Sequence, residues 1–209
     1  PDVDRLALID EKGEMFGEEY TLVAVADHIL SNTPGNTVSN LSSTRALRDV
    51  TESHQSNYQA SAVGEVNVVE KMKATNAVIG GEGNGGIIFP TLHYGRDALV
   101  GIGLFLTLLA KKNIKASELR DSYPKYVISK NKIQLTPEID VDKIIIKMKD
   151  KYAKYPVNTI DGVKIELENE WVHLRKSNTE PIIRIYAESS SSTNANALGE
   201  RFINEIKSL

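Results

Sequence analysis

The longest uncharged apolar run in the chain is Ala98 to Ala110 (ALVGIGLFLTLLA), fenced by Asp97 and Lys111. A transmembrane helix needs about 20 such residues, so these thirteen cannot span a bilayer and must find cover in a folded domain. The run predicts a buried core helix over Gly95 to Lys112. Shorter signals alternate before it. Arg5 to Ile9, Thr37 to Leu41 and Ala77 to Ile79 read as strands. Glu18 to Leu30 and Gly64 to Lys73 read as helices, the first apolar nearly all round. Ser43-Thr44 is a candidate cap for a helix through Val50, and the polar stretch 51–61 reads as a loop. Strands separated by helices predict a layered α/β domain with parallel pairing.

The pattern changes near residue 121. Lys125 to Leu135 alternates as a strand does, and Val141 to Tyr155 has apolar residues at helical spacing. Val163 to Leu167, Trp171 to Arg175 and Ile182 to Ala187 read as strands. Thr193 or Asn194 is placed to cap a final helix whose Leu198, Phe202, Ile206 and Leu209 share a face. Strands bracketed by helices predict a smaller α+β domain.

The charge balance is 25 Lys plus Arg against 28 Asp plus Glu, net −3. This argues against a general nucleic-acid binder, which needs a basic excess. With no cysteine, a disulfide scaffold, a thiolate zinc site and a cysteine nucleophile are excluded. The chain opens at Pro1 without Met or a signal peptide, and is expected to be cytoplasmic with neither nucleic acid nor membrane as partner.

Three constellations carry chemistry. Asp2 and Asp4 stand two residues apart before Arg5; they can converge on a hard cation such as Mg²⁺ with Arg5 facing a phosphate beside it, or form a solvated acidic turn. Gly80-Gly81-Glu82-Gly83-Asn84-Gly85-Gly86 contains G-x-G-x-x-G. The Ile87-Ile88-Phe89-Pro90 that follows favours a strand, so no helix N-terminus awaits a pyrophosphate and the dinucleotide reading fails. What remains is a glycine-rich loop between strands, with Glu82 and Asn84 suited to sugar hydroxyls, or a wide hairpin. In Arg175-Lys176-Ser177-Asn178-Thr179-Glu180-Pro181-Ile182-Ile183-Arg184, two arginines flank a loop of hydroxyls, an amide and backbone N–H groups. That set suits a phosphate monoester; an ordinary polar hairpin is the alternative. Asp49, Ser53 and His54 lack the strand-to-helix elbow of a hydrolase triad, and His28, His93 and His173 share no metal spacing.

In this order, Asp-x-Asp-Arg, Gly-Gly-Glu-x-Asn-Gly-Gly and Arg-x-Ser-Asn-Thr-Glu-Pro, with Val63-Gly64-Glu65-Val66-Asn67 to Met72 between them, resemble the α-D-phosphohexomutases. That group includes phosphoglucomutase/phosphomannomutase and phosphoglucosamine mutase. The resemblance implies residues 1–16 as the tail of a metal-binding second domain and 17–121 as an α/β sugar-recognition domain. It implies 122–209 as an α+β, TATA-box-binding-protein-like phosphate-binding domain. It further implies Mg²⁺ on Asp2 and Asp4 with Arg5 in support, a third aspartate preceding Pro1, and sugar recognition by Glu82 and Asn84. Arg175, Ser177, Asn178, Thr179 and Arg184 would grip the non-reacting phosphate.

The sugar loop commonly reads Gly-Glu-x-Ser-Gly-His; here Asn84 and Gly86 replace serine and histidine. Near Ser42–Arg45, where some members present a lysine, only Thr44-Arg45 echoes it. The implied reaction moves a phosphoryl group between the 1 and 6 positions of a hexose phosphate through an enzyme phosphoserine and a bisphosphate. Glucosamine, mannose or glucose phosphate would be the substrate, and the Asn-Gly-Gly ending is similar to archaeal-like phosphoglucosamine mutases. No Thr-x-Ser-His-Asn-Pro stands in the chain, and Thr51-Glu-Ser-His-Gln-Ser56 lies in the wrong domain. The chain alone is therefore expected to be inactive, with the missing N-terminal domains as its partner. A non-catalytic sugar-phosphate binding module, and a structural scaffold, are the other classes.

Overall fold

The computed structural model describes residues 3–135, 140–177 and 180–208. The chain forms two compact units, Pro1–Lys125 and Tyr126–Leu209. The first contains α1 (Glu18–Leu30), β1 (Thr37–Asn40), α2 (Ala46–Ser53), β2 (Tyr58–Ser61), α3 (Glu65–Thr75), β3 (Ile79–Glu82), β4 (Gly86–Ile88), α4 (Ala98–Lys112) and α5 (Ala116–Asp121). Its sheet runs β2-β1-β3-β4. β1 pairs in parallel with β2 and β3, and β4 returns antiparallel to β3. Parallel neighbours need crossover connections, which α2 and α3 supply.

Strand alternation makes three layers. Val38 of β1 and Ile88 of β4 join Val68 and Met72 of α3 in one cluster. Thr37, one residue away, faces the other side, its hydroxyl 2.7 Å from that of Thr51 in α2. Ile87 lies against Gly101 of α4. α1 is buried at every residue from Tyr20 to Leu30, which explains its apolar circumference. That includes Asp27, whose carboxylate takes His54 Nε2 at 2.8 Å, Lys112 Nζ at 3.1 Å and Tyr123 OH at 2.9 Å. Burial works to raise the Asp27 pKa, but the three donors outweigh it and hold the carboxyl below its ordinary range. One acid thus ties α1 to the ends of α2, α4 and α5.

The second unit holds β5 (Val127–Gln134), α6 (Val141–Lys151), β6 (Val157–Asn158), β7 (Val163–Glu166), β8 (Trp171–Lys176), β9 (Ile182–Ser189) and α7 (Ser192–Lys207). The antiparallel sheet runs β5-β9-β8-β7-β6. Every second strand residue (Val163 and Ile165; Val172 and Leu174; Ile183, Ile185 and Ala187) packs with Val141 and Met148 of α6 and with Leu198, Phe202 and Ile206 of α7. This is the α+β, TATA-box-binding-protein-like architecture. The intervening residues form polar cross-strand pairs on the other face: Trp171 with Glu188, His173 with Tyr186, Arg175 with Arg184. Trp171 donates its indole N–H to Glu188 at 2.6 Å.

The structure departs from the sequence pattern where local signals are weak. Arg5–Ile9 is not a strand; only Arg5 and Ile9 bridge, to Gly86 and Met15. The polar stretch 51–61 contains the end of α2 and edge strand β2, because parallel pairing with β1 supplies order that its composition does not. α2 starts at Ala46 with Arg45 at its cap position, and α7 is capped by Ser191, whose hydroxyl accepts from Asn194 N. The chief correction concerns α4. Only Gly101, Phe105 and Leu108 are buried, while Leu99, Ile102 and Leu106 are 80%, 38% and 58% exposed. An apolar run records a need for cover, not which of its sides has it.

His173 is 1% exposed and its Nε2 lies 2.7 Å from the Asp161 carbonyl. Burial pushes its pKa down to about 4, the Asp161 hydrogen bond opposing. The unfolded chain binds a proton near 6.5 that the fold refuses until about 4. Stability from the neutral ring is therefore whole above pH 6.5 and declines as pH falls from there, by about 3 kcal/mol in all. Thermal melts of the wild type should lose stability between pH 7 and 5, and His173→Gln should flatten that dependence.

Candidate functional site

The first unit gathers its polar side chains at the C-terminal ends of β1 and β3. The glycine-rich stretch is less of a loop than its composition predicts. Gly80 and Gly81 belong to β3, Glu82 ends it, and only residues 83–85 make the turn. Gly85 has φ +85°, and a Cβ there would overlap the Leu6 carbonyl. Leu6 N donates to Gly85 O at 2.9 Å, and Arg5 bridges Gly86. The segment carrying Asp4 and Arg5 is thereby stitched to the turn.

Glu82 is fixed on both oxygens. Asn40 Nδ2 donates to Oε1 at 2.9 Å and Arg96 Nη1 to Oε2 at 3.0 Å. Asn40 in turn accepts Ser42 N and Ser43 Oγ, and Ser43 Oγ accepts Gly83 N at 3.0 Å. Arg96 also meets Asp4 Oδ2 at 2.5 Å and Glu65 Oε2 at 3.3 Å. Asn84 Oδ1 accepts Gly86 N at 3.1 Å, which gives Asn84 a turn-forming role. Asp4 Oδ1 is buried without a hydrogen-bond partner among the described residues, an oxygen that fits a hard cation. Among the described residues no group of three His, Asp or Glu side chains is placed to hold a metal. Asp2 lies outside the described residues.

Arg96 and Asn40 escaped the sequence reading, which named Ser43 only as a helix cap and Glu65 only within a family-like stretch. The available signal was Gly95-Arg96-Asp97 just before the apolar run. Asp97 caps α4 by accepting Val100 N at 3.0 Å, and its own N donates to Ile87 O at 2.8 Å, which fixes Arg96 beside β4. The histidines sit apart: His54 pairs with Asp27 and His93 with Asp97. Ser53 Oγ donates to Val50 O, not into a triad.

In the second unit Arg175 and Arg184 are direct cross-strand partners. Like charges opposite one another in a sheet destabilise it. Arg184 Nη2 pairs with Glu180 at 2.6 Å, while the Nε atoms of both arginines are buried without a hydrogen-bond acceptor among the described residues. Ser177 is buried, its N donating to Ile182 O at 3.0 Å. Asn178 and Thr179 lie outside the described residues. Two forks whose Nε donors lack an acceptor among the described residues, beside a buried hydroxyl, have the donor chemistry that an anion would use. Titration of inorganic phosphate should shift the amides around Arg175 and Arg184. Arg175→Ala should weaken that binding about tenfold, the loss of one charge-assisted hydrogen bond.

No described helix is long and apolar enough to cross a membrane. The family description "Phosphoglucomutase/phosphomannomutase, alpha/beta/alpha domain III" matches residues 17–126, and the C-terminal domain of the same family matches 130–205. The chain is 36% identical to a phosphoglucomutase/phosphomannomutase of Thermococcus kodakarensis, over 93% of this chain and 43% of that protein. It is 34% identical to a phosphoglucosamine/phosphogalactosamine mutase of Sulfurisphaera tokodaii, over 100% of this chain and 46% of that protein. A crystal structure of a phosphoglucomutase/phosphomannomutase family protein from Burkholderia thailandensis superposes with TM-score 0.80 at 25% identity, covering 99% of this chain and 45% of that one. The chain thus spans somewhat under half the length of the curated relatives it matches. Two domains matched in order across most of its residues place this chain in the phosphoglucomutase/phosphomannomutase family of α-D-phosphohexomutases.

Proposed function

We propose that the intact protein moves a phosphoryl group between the 1 and 6 positions of a hexose phosphate, and that this chain supplies its sugar and phosphate recognition. The Arg175–Arg184 pair carries the reading: two facing cations share one carboxylate partner, Glu180 on Arg184, and keep buried Nε donors with no acceptor among the described residues, which a bound anion would offset. Arg175, Ser177 and Arg184, with Asn178 and Thr179, grip the phosphate that does not react. Holding that end restricts the other to a productive orientation, and positioning is most of what phosphoryl transfer asks of a protein. Glu82 and Asn84 accept and donate to sugar hydroxyls. Residues 1–16 are read as the end of a metal-bearing domain, 17–121 as the sugar domain and 122–209 as the phosphate domain. Asp4, with its unused buried oxygen, and Asp2 would hold Mg²⁺, with Arg5 nearby; the ion supplies charge neutralisation at the transferring phosphoryl group.

The phosphoserine belongs to the part of the protein that precedes Pro1. Intact protein assayed on glucosamine, mannose and glucose phosphates should turn over at least one, with glucosamine phosphate favoured. The 209-residue chain alone should turn over none. An intact protein that binds hexose phosphate without turnover would make the chain part of a non-catalytic sugar-phosphate module instead.

The same reading gives α4 a partner. Leu99, Ile102 and Leu106 form an exposed apolar stripe. The N-terminal segment runs beside the buried side of α4, with Leu6 on Gly101 and Phe16 edge-on to Phe105 at 4.9 Å. The preceding domain is the occupant we assign to the stripe. Leu106→Asp should lower the melting temperature of the intact protein by several degrees, as lost burial of about 2 kcal/mol requires. In the chain alone it should change stability little.

A further inference from the structure

Resting on the mutase reading, we propose that Arg96 is the positioning residue for Glu82, and that Gly86 is glycine in order to admit it. Glu82 is 5% exposed. A carboxylate so enclosed reads a sugar hydroxyl only in the orientation its internal partners give it. Asn40 holds one oxygen and Arg96 the other, at 2.9 and 3.0 Å.

Arg96 is itself held from several directions. Asp4, Glu65 and Glu82 surround its guanidinium at 2.5, 3.3 and 3.0 Å. Its backbone N donates to Glu65 Oε1 at 2.9 Å, and it bridges Ile88 of β4. Three carboxylates from three separate segments need a planar fork, which lysine lacks. The aliphatic stem reaches Glu82 by crossing Gly86, where a Cβ would stand 2.5 Å from Arg96 Cδ and 3.2 Å from Cγ. A side chain at 86 and Arg96 in this pose exclude one another. In this chain the position beside the recognition carboxylate is therefore filled from the approach to α4, and not from the turn.

The test is a double-mutant cycle in the intact protein, with kcat/KM on glucosamine, mannose and glucose phosphates. Arg96→Met should lower kcat/KM about 100-fold, the cost of a reacting geometry misplaced by an ångström. Arg96→Lys should recover part of it. Gly86→Ala should lose activity in the same direction with every charge retained. Arg96→Met should also change the ratio of kcat/KM among the three sugars, which a general loss of structure would leave alone. If Arg96 acts through Glu82, Arg96→Met combined with Glu82→Gln should be no worse than Glu82→Gln within about twofold. Multiplying losses overturn the assignment, as does non-additivity found with Asp4→Asn instead. Where Arg96→Met does not fold, Gly86→Ala replaces it in the cycle. No turnover by the wild-type intact protein overturns the mutase reading itself; turnover with an additive cycle overturns only the role of Arg96.

Discussion

The first unit is organised around one guanidinium. Arg96 draws together Asp4 from the N-terminal segment, Glu65 from the start of α3 and Glu82 from the end of β3. Taking charges out of water is costly, and their mutual attraction offsets the cost only when geometry and hydrogen bonding are good. Removing the cation would leave three carboxylates crowded at the mouth of the sheet. The β3–β4 hairpin, the N-terminal segment and the approach to α4 therefore share a single electrostatic constraint. That constraint falls on the edge where Glu82 and Asn84 stand.

A second charge cluster sits at the other end of α4. Asp27 accepts from His54, Lys112 and Tyr123. The Tyr123 hydroxyl is held well above its ordinary pKa by burial first and by the neighbouring carboxylate. Donors and acceptor match here, so the cluster reads as a structural clasp. The cross-strand arginines of the second unit are the opposite case: their Nε donors are buried and unused, and like charges face each other. Satisfied burial is what a scaffold needs, whereas facing cations with unpaired donors leave capacity for a ligand.

Much of this was legible in the residues. Helical spacing located α6 and α7, because one face of each must be apolar to be covered, and α1 was legible as a helix apolar nearly all round. Alternation located β5, and short apolar runs located β7, β8 and β9 with Arg175 and Arg184 on two of them; their direct opposition came from the register. Proline and β-branched residues after the glycines ruled out a dinucleotide loop, and β4 follows there. What failed were segments ordered by neighbours and not by their own pattern. β2 is polar and stands at a sheet edge, and β6 is two residues long. The run Ala98 to Ala110 misled most, since composition is blind to direction around a helix.

The sequence by itself determined the family, the order of the α/β and α+β units, and the identity of Glu82, Asn84, Arg175, Ser177 and Arg184 as recognition candidates. These rest on short motifs and local periodicity, which are properties of consecutive residues. Only the tertiary structure decided that Arg96 stands over Gly86 and clasps Asp4, Glu65 and Glu82, that Asp27 ties four helical segments together, and that α4 leaves an apolar stripe open. Each of these depends on residues far apart in the chain, brought within a few ångströms by the crossovers of a parallel sheet. No local pattern encodes such a meeting, because loop closure and packing choose the partners.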